Sequence, residues 1–150
     1  MSELDQLMAV MEAGFDPHWR EAWTRQQVEN SLVLPHTYAI LIDADGASPP
    51  RRADAAGFVL ARKAPGEEEL LLIAVRPEAR GKGLGRKLIE LFTDSARQSG
   101  AEQVFLEMRA NNPAEGLYRD CGFAPIGQRR DYYRTLSGET LDAITFARKL

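Results

Sequence analysis

The residues with the clearest chemical meaning are consecutive: Arg80-Gly81-Lys82-Gly83-Leu84-Gly85-Arg86. They follow the apolar run Leu70-Leu71-Leu72-Ile73-Ala74-Val75 and precede an amphipathic stretch from Arg86 to Ser99, a pattern that reads as strand, tight basic loop, helix. Glycines at alternate positions leave backbone N–H groups unshielded by any Cβ, and the helix start adds its own unpaired donors and the positive end of its dipole. Arg80, Lys82, Arg86 and Lys87 crowd that start, although the macrodipole disfavours cations there. A bound polyanion accounts for the crowding, so the stretch is expected to hold a diphosphate; a bare tight turn is the alternative.

Two common diphosphate loops do not fit. A Walker A loop needs Ser or Thr directly after Gly-Lys, and Gly83 stands there. The dinucleotide fingerprint GxGxxG requires a glycine where Arg86 stands, although Glu107 lies about 20 residues on, at the end of a strand, where the acidic ribose partner of that motif belongs. What fits is Arg-x-x-Gly-x-Gly, met by Arg80, Gly83 and Gly85.

The surrounding elements follow from periodicity. Leu4, Leu7, Met8 and Met11 predict a first helix over residues 3–13, ending at Gly14, with Ser2 and Asp5 as a weak cap. Phe15-Asp16-Pro17 is a turn, and Thr24 with Gln27 forms a capping box for a second helix to about Leu32, closed by Pro35. Thr37 to Ile42 is a strand, Asp43 to Asp54 a mobile loop, and Ala56 to Arg62 the hairpin partner that turns through 63–67 into the central strand. Beyond the glycine loop, Leu84, Leu88, Leu91, Phe92 and Ser95 line one face of a helix stopped by Gly100. A strand at 104–108, a loop from Arg109 to Asn112 and a short helix from Pro113 to Asp120 come next. Strands at about 123–127 and 141–147 close the chain, joined through Arg129-Arg130-Asp131-Tyr132-Tyr133 and a Ser137-Gly138 turn.

Composition bounds the function classes. The chain has 150 residues, 44% hydrophobic and 27% charged, with net charge −3, which suits one α/β domain over residues 1–150. A slightly acidic chain is not expected to coat nucleic acid, but it can receive a basic peptide. The lone Cys121 excludes an internal disulfide, and no His/Cys cluster has zinc-ligand spacing, so no metal is expected. The opening residues lack the pattern of a secretory signal, and no apolar stretch approaches the roughly 20 residues of a membrane span. A cytoplasmic protein without membrane contact is expected.

Several segments together carry a family resemblance: Ile73-Ala74-Val75-Arg76-Pro77, Arg80 to Gly85, Leu106-Glu107-Met108-Arg109, Asn111, and Leu117-Tyr118-Arg119-Asp120-Cys121-Gly122-Phe123. Residues 70–123 resemble the GNAT superfamily of acyl-coenzyme A-dependent N-acetyltransferases. The later Arg129-Arg130-x-Tyr132-Tyr133 and Asp142-Ala143 are similar, within that superfamily, to the ribosomal-protein alanine N-acetyltransferases. The resemblance implies a mixed, mostly antiparallel sheet flanked by helices and splayed at the cofactor strand. It implies acetyl-coenzyme A as co-substrate, its pantetheine arm along the backbone of Ile73, Ala74 and Val75. It implies that the amides from Gly81 through Lys82, Gly83, Leu84 and Gly85 to Arg86 hold the pyrophosphate, with Arg80, Lys82 and Arg86 adding charge. Asn111 is implied as a contact to the cofactor arm, Glu107 as general base and Tyr118 as general acid. The loop before Asn111 is one residue shorter than usual, which leaves Asn112 open as the contact, and the family's first strand is missing. The implied activity is direct acetyl transfer, in a ternary complex, to a protein N-terminal α-amine. The acceptor is expected to be a basic protein N-terminus, the alanine of small-subunit ribosomal protein eighteen.

The chemistry agrees with these roles. An N-terminal amine has a reference pKa of about 7.7–8.0 against about 10.4 for lysine, so a carboxylate at a strand end is a sufficient base. A backbone N–H near Val75 is the natural oxyanion donor, and a phenol within reach assists the departing thiolate. Other readings stand beside these. Glu107 is also readable as an edge-strand surface carboxylate, Tyr118 as a packed tyrosine and Asn111 as a cap. Cys121 beside Gly122 reads as a small buried residue, and His18 and His36 lack partners at ligand spacing. Trp19 and Trp23 read as core or as a wall of the acceptor groove. Tyr132 and Tyr133, on opposite sides of a strand, read as a lid over the acceptor, with a solvated hairpin as the alternative. Acetylation of a small-molecule amine, and a non-catalytic coenzyme A-binding module, are the alternative functions.

Overall fold

The computed structural model describes residues 2–51 and 54–150. Helices α1 (Glu3–Gly14) and α2 (Arg25–Leu32) come first, then strands β1 (Thr37–Ile42), β2 (Gly57–Ala64) and β3 (Glu67–Val75). Helix α3 (Leu84–Gln98), strand β4 (Gln103–Arg109), helix α4 (Glu115–Asp120) and strands β5 (Ala124–Arg134) and β6 (Thr140–Lys149) complete the order. The strands form one sheet in the order β1-β2-β3-β4-β6-β5, antiparallel throughout except for the β3–β4 pair. This is the expected mixed, mostly antiparallel sheet with helices on it. Among the described residues α1 is the first element.

Alternation along β2 shows why there are two cores. Phe58 and Leu60 face Leu7, Val10 and Met11 of α1 and Val28 of α2, whereas Val59 and Ala61 face Leu88, Ile89 and Phe92 of α3. Helix α2 starts with the capping box expected at Thr24/Gln27, and the weak cap expected at Ser2 and Asp5 is a full reciprocal box at the start of α1. The sheet buries side chains on both faces, which fixes the strand registers.

One irregularity shapes the molecule. The parallel β3–β4 pairing runs only from Glu67↔Gln103 to Leu70↔Leu106. On the other side of β3, Leu60 pairs with Leu72 and Ala61 with Leu70, so Leu71 is an extra residue, a bulge placed where the parallel pairing stops. Beyond it β3 follows β2 as far as Val75↔Gly57, and β4 follows β6 as far as Arg109↔Ala143. The sheet therefore splays between residues 71–75 and 107–109.

Three boundaries and one loop differ from expectation. β3 begins at Glu67 rather than 70, because three glutamates hide its start; Glu68 is buried and accepts a hydrogen bond from the Tyr38 hydroxyl at 2.6 Å. The expected connector 129–133 belongs to β5, whose pairing with β6 is interrupted at Pro125/Gly127 and at Arg129/Tyr133. The short helix α4 starts at Glu115, because the Asn112 side chain caps the Ala114 N–H at 2.9 Å and holds the preceding residues in a turn. The loop after β1 is not loose in its described part. The buried Asp43 carboxylate accepts from the N–H groups of Asp45, Ala47 and Arg51 at 2.9, 3.0 and 2.9 Å, and these bonds hold it ionised below the usual carboxylate range. Arg52 and Ala53 of that loop lie outside the described residues.

Candidate active site

The glycine loop has the geometry of an anion cradle. Gly81 and Gly83 adopt left-handed backbone angles, φ +79° and +80°, which cost a residue with a Cβ strain. Gly83 is the N-cap of α3 and offers no side chain to its first turn, which contains no acidic residue. None of the backbone N–H groups from Gly81 to Arg86 finds an acceptor among the described residues. Six consecutive donors thus converge at the positive end of a fifteen-residue helix. At Gly85 a Cβ would come 3.2 Å from Leu117 of α4, so this glycine permits the close approach of the two helices. These features fit a diphosphate group.

The loop opens on a cleft of ≈ 680 Å³, whose opposite wall includes Ile73, Ala74 and Val75. Those residues belong to the splayed part of β3. The Arg76 N–H bonds to Ala56 on the β2 side at 2.8 Å, so alternation turns the N–H groups of Ile73 and Val75 into the gap, where no strand pairs with them. The cations divide. Arg80 is a clamp: its Nε donates to the Val75 carbonyl at 3.2 Å and its Nη2 to the Gly14 carbonyl at 2.7 Å, joining the end of β3 to the C-terminus of α1. Arg86 lines the cleft and pairs loosely with Asp120 at 3.7 Å. Lys82 is exposed and does not line it. Asn111 is exposed at φ +67° and lies off the cleft, whereas Asn112 lines it.

A second cavity, ≈ 320 Å³, continues the first through the splay and is lined by Glu107, Tyr118, Tyr133 and Trp23. Glu107 is about one-fifth exposed and its Oε2 lies 3.3 Å from Arg129 Nε. Tyr118 is buried on α4, its ring edge-on to Phe123 at 6.0 Å, and its hydroxyl has no hydrogen-bond partner among the described residues. Burial, and then the negative charge of Glu21, push its phenol well above the ordinary value, so it stays protonated. Tyr133 is pushed up to about 12 by burial and by Glu107 and Glu21. Its neighbour Tyr132 is exposed and off the cavity. The β5 bulge at Asp131, with φ +51°, interrupts the alternation that would send the rings to opposite sides, and the two meet edge to face at 5.2 Å.

The structure therefore brings Glu107, Tyr118 and Tyr133 into one cavity and joins it to the anion cradle. It also brings in residues that sequence reasoning missed. Glu21, in the connection between α1 and α2, lines both cavities, and its Oε1 accepts from Arg109 Nε at 3.2 Å. Arg109 is buried, with its guanidinium 3.7 Å from the Trp19 ring centroid. Residues 15–23 have no periodicity to mark them, and the one available signal was an arginine at a strand end in need of a carboxylate. Chemically, the arrangement offers an anion-binding cleft continuous with a cavity that contains a carboxylate and a protonated phenol.

The model of the acetyltransferase (GNAT) family matches residues 4–123. The N-alpha-acetyltransferase RimI of Mycobacterium tuberculosis is 35% identical over 145 residues, which cover 95% of this chain and 82% of that protein. The ribosomal-protein-alanine N-acetyltransferase of Escherichia coli is 39% identical over 93 residues, 61% of this chain and 62% of that one. The crystal structure of the Escherichia coli enzyme superposes with a TM-score of 0.83 at 25% identity, covering 99% of this chain and 90% of that chain.

Proposed function

This chain belongs to the GNAT acetyltransferase family, and we propose that it acetylates the α-amine of a protein N-terminus, the N-terminal alanine of small-subunit ribosomal protein eighteen. The relatives' named activities support the acceptor class. The observation that carries the reading is the continuity of the two cavities: the unpaired amides of the loop open one end, and Glu107 and Tyr118 line the other.

Acetyl-coenzyme A, the acyl donor of the family, supplies an activated acetyl thioester. The N–H groups from Gly81 to Arg86, with the charge of Arg86, are suited to hold its diphosphate. Lys82 contributes charge at longer range. The unpaired backbone of Ile73 and Val75 is suited to hold the arm as an added strand. Asn112 rather than Asn111 has the position for a further contact. The Val75 N–H is the donor available where negative charge develops on a carbonyl oxygen.

Glu107 accepts the proton that the acceptor ammonium must lose before it can attack. Tyr118, kept protonated by its surroundings, donates from its hydroxyl to the departing sulfur. Tyr133 forms the cavity wall against the acceptor chain, and Tyr132 shields it from outside. Transfer is direct, without an acetylated enzyme: Cys121 has its thiol pushed up by burial and lines neither cavity.

The test is incubation with labelled acetyl-coenzyme A and a basic peptide beginning in alanine, followed by mapping of the label. Label on the α-amine is expected. Label on lysine side chains only, or turnover of small polyamines in preference to the peptide, overturns the reading.

A further inference from the structure

Two carboxylates face the inner cavity, and they are held differently. Glu107 lines the inner cavity alone, with one oxygen turned to the exposed Arg129. Glu21 lines both cavities and so stands at their junction, together with Ile73 and Tyr118. Its Oε1 is fixed by Arg109, which is itself locked: buried, stacked on Trp19, and bonded through Nη1 to the Asn111 carbonyl at 3.0 Å. Its Oε2 takes no hydrogen bond from the described residues. A carboxylate offers about four lone-pair sites, so one bond to Arg109 leaves capacity for a second cation. Glu21 lines the inner cavity together with the phenols of Tyr118 and Tyr133, and its negative charge helps keep both protonated.

An N-terminal amine, with a reference pKa of about 7.7–8.0, arrives at neutral pH mostly as an ammonium. Leaving water for a half-enclosed cavity costs that charge its hydration unless a fixed carboxylate meets it. We propose that Glu21 is the docking carboxylate for the acceptor's α-ammonium, and that Arg109 is a positioning residue that holds it at the junction of the two cavities. The assignment rests on the N-terminal acetyltransferase reading and adds to it a residue that selects a charged, unblocked terminus. Glu107 then remains available to take the proton.

The test is binding rather than turnover. Two basic peptides, identical except that one begins with alanine and the other with the corresponding α-hydroxy acid, are titrated calorimetrically into the protein loaded with coenzyme A, which cannot transfer. The wild-type protein is expected to bind the ammonium peptide about tenfold or more tightly than the hydroxyl peptide. In Glu21→Gln the two are expected to bind within about twofold of each other, with coenzyme A affinity unchanged, which shows that the fold is intact. Glu107→Gln is expected to keep the preference. If Glu21→Gln does not fold, Glu21→Asp keeps the charge but withdraws it by one methylene and is expected to weaken the preference. Arg109→Lys, which keeps a cation but loses the planar contacts to Glu21 and Trp19, is expected to weaken it as well. A preference that survives in Glu21→Gln or is undiminished in Glu21→Asp, one lost in Glu107→Gln instead, or none in the wild type overturns the inference. Failure of the broader reading shows separately, as absence of acetyl transfer to the alanine peptide by the wild-type protein.

Discussion

Replacing Tyr118 by Phe separates two properties that usually change together. A buried tyrosine ordinarily donates a hydrogen bond whose loss costs about 1 kcal/mol. Here the hydroxyl has no partner among the described residues, while the ring keeps its edge contact with Phe123 at 6.0 Å. Removing one oxygen therefore breaks no bond within the protein, and the thermal midpoint is expected to stay within about 2 °C of wild type. Catalysis has more to lose. A positioned acid is typically worth about 10²- to 10⁴-fold, which corresponds to roughly 3–5 kcal/mol of barrier. The expected result is a kcat lowered by about 10²-fold or more, with KM for acetyl-coenzyme A and for the peptide each within about threefold. The phenol is held protonated above its ordinary value, so the wild-type rate should show no loss from Tyr118 below about pH 10. The assay is steady-state kinetics from pH 6 to 10 alongside thermal unfolding. A kcat within about threefold of wild type removes Tyr118 from the mechanism, and a large fall in melting temperature means that its hydroxyl is structural.

Three further outcomes are expected. Gly83→Ala and Gly46→Ala both place a Cβ at positive φ, +80° and +87°, with open space around it, so each costs about 1 kcal/mol of stability; only Gly83→Ala is expected to weaken coenzyme A binding by calorimetry, and an equal effect of the two removes the loop from the site. Arg80→Lys keeps the charge but loses a fork that reaches two carbonyls, at Val75 and Gly14, so hydrogen exchange at the end of α1 should quicken and coenzyme A affinity fall several-fold; unchanged values reduce Arg80 to a point charge. Tyr38, Tyr118 and Tyr133 are all raised in the folded state, chiefly by burial, with Tyr38 further held by its bond to Glu68. Above about pH 10 the unfolded chain releases these protons while the folded chain keeps them, so stability falls as pH rises. The urea midpoint should be flat from pH 8 to 10 and decline beyond, with Tyr38→Phe flattening part of the decline; a midpoint constant through pH 11 contradicts this.

Local chemistry made the glycine loop legible. A left-handed turn needs glycine, and a helix start crowded with cations needs an anion, so Gly81, Gly83 and Arg86 announced themselves without tertiary knowledge. The capping box at Thr24 was legible for the same reason, and the one at Ser2 only as a weak cap. The start of β3 was hidden because Glu67-Glu68-Glu69 shows neither helical nor strand periodicity, and the reason one of them is buried, the Tyr38 hydroxyl, lies thirty residues away. The β5 bulge was equally invisible: Asp131 takes its positive φ because its N–H bonds to the Asp142 side chain across the hairpin, at 2.9 Å. Glu21 was missed on the same ground, since its partner Arg109 lies 88 residues away in sequence. Residues positioned by their own turn can be read from the chain, whereas those positioned by a distant charge cannot.

The splay explains why the candidate site lies here and not elsewhere on the sheet. β3 and β4 are the one parallel pair, and α3 is the crossover between them, so the helix N-terminus necessarily rises beside the carboxyl end of β3. Had the pairing continued past Leu70 and Leu106, the N–H groups of Ile73 and Val75 would be spent on a ladder and the anion cradle would face a closed wall. The bulge at Leu71 ends that pairing, and antiparallel partners on the outer sides, β2 and β6, keep both freed strands in register. An open gap in a sheet is a liability unless its sides are tied, and two contacts tie them. Arg80 fastens the β3 side to α1, and the Arg109–Glu21 pair fastens the β4 side to the loop that follows α1. Both ties end on the same short stretch of chain, residues 14–21, so the width of the gap and the position of the proposed docking carboxylate are set by one segment. Lengthening that segment should therefore disturb coenzyme A affinity and acceptor affinity together, whereas Glu21→Gln, whose amide oxygen can still accept from Arg109, should leave the first intact.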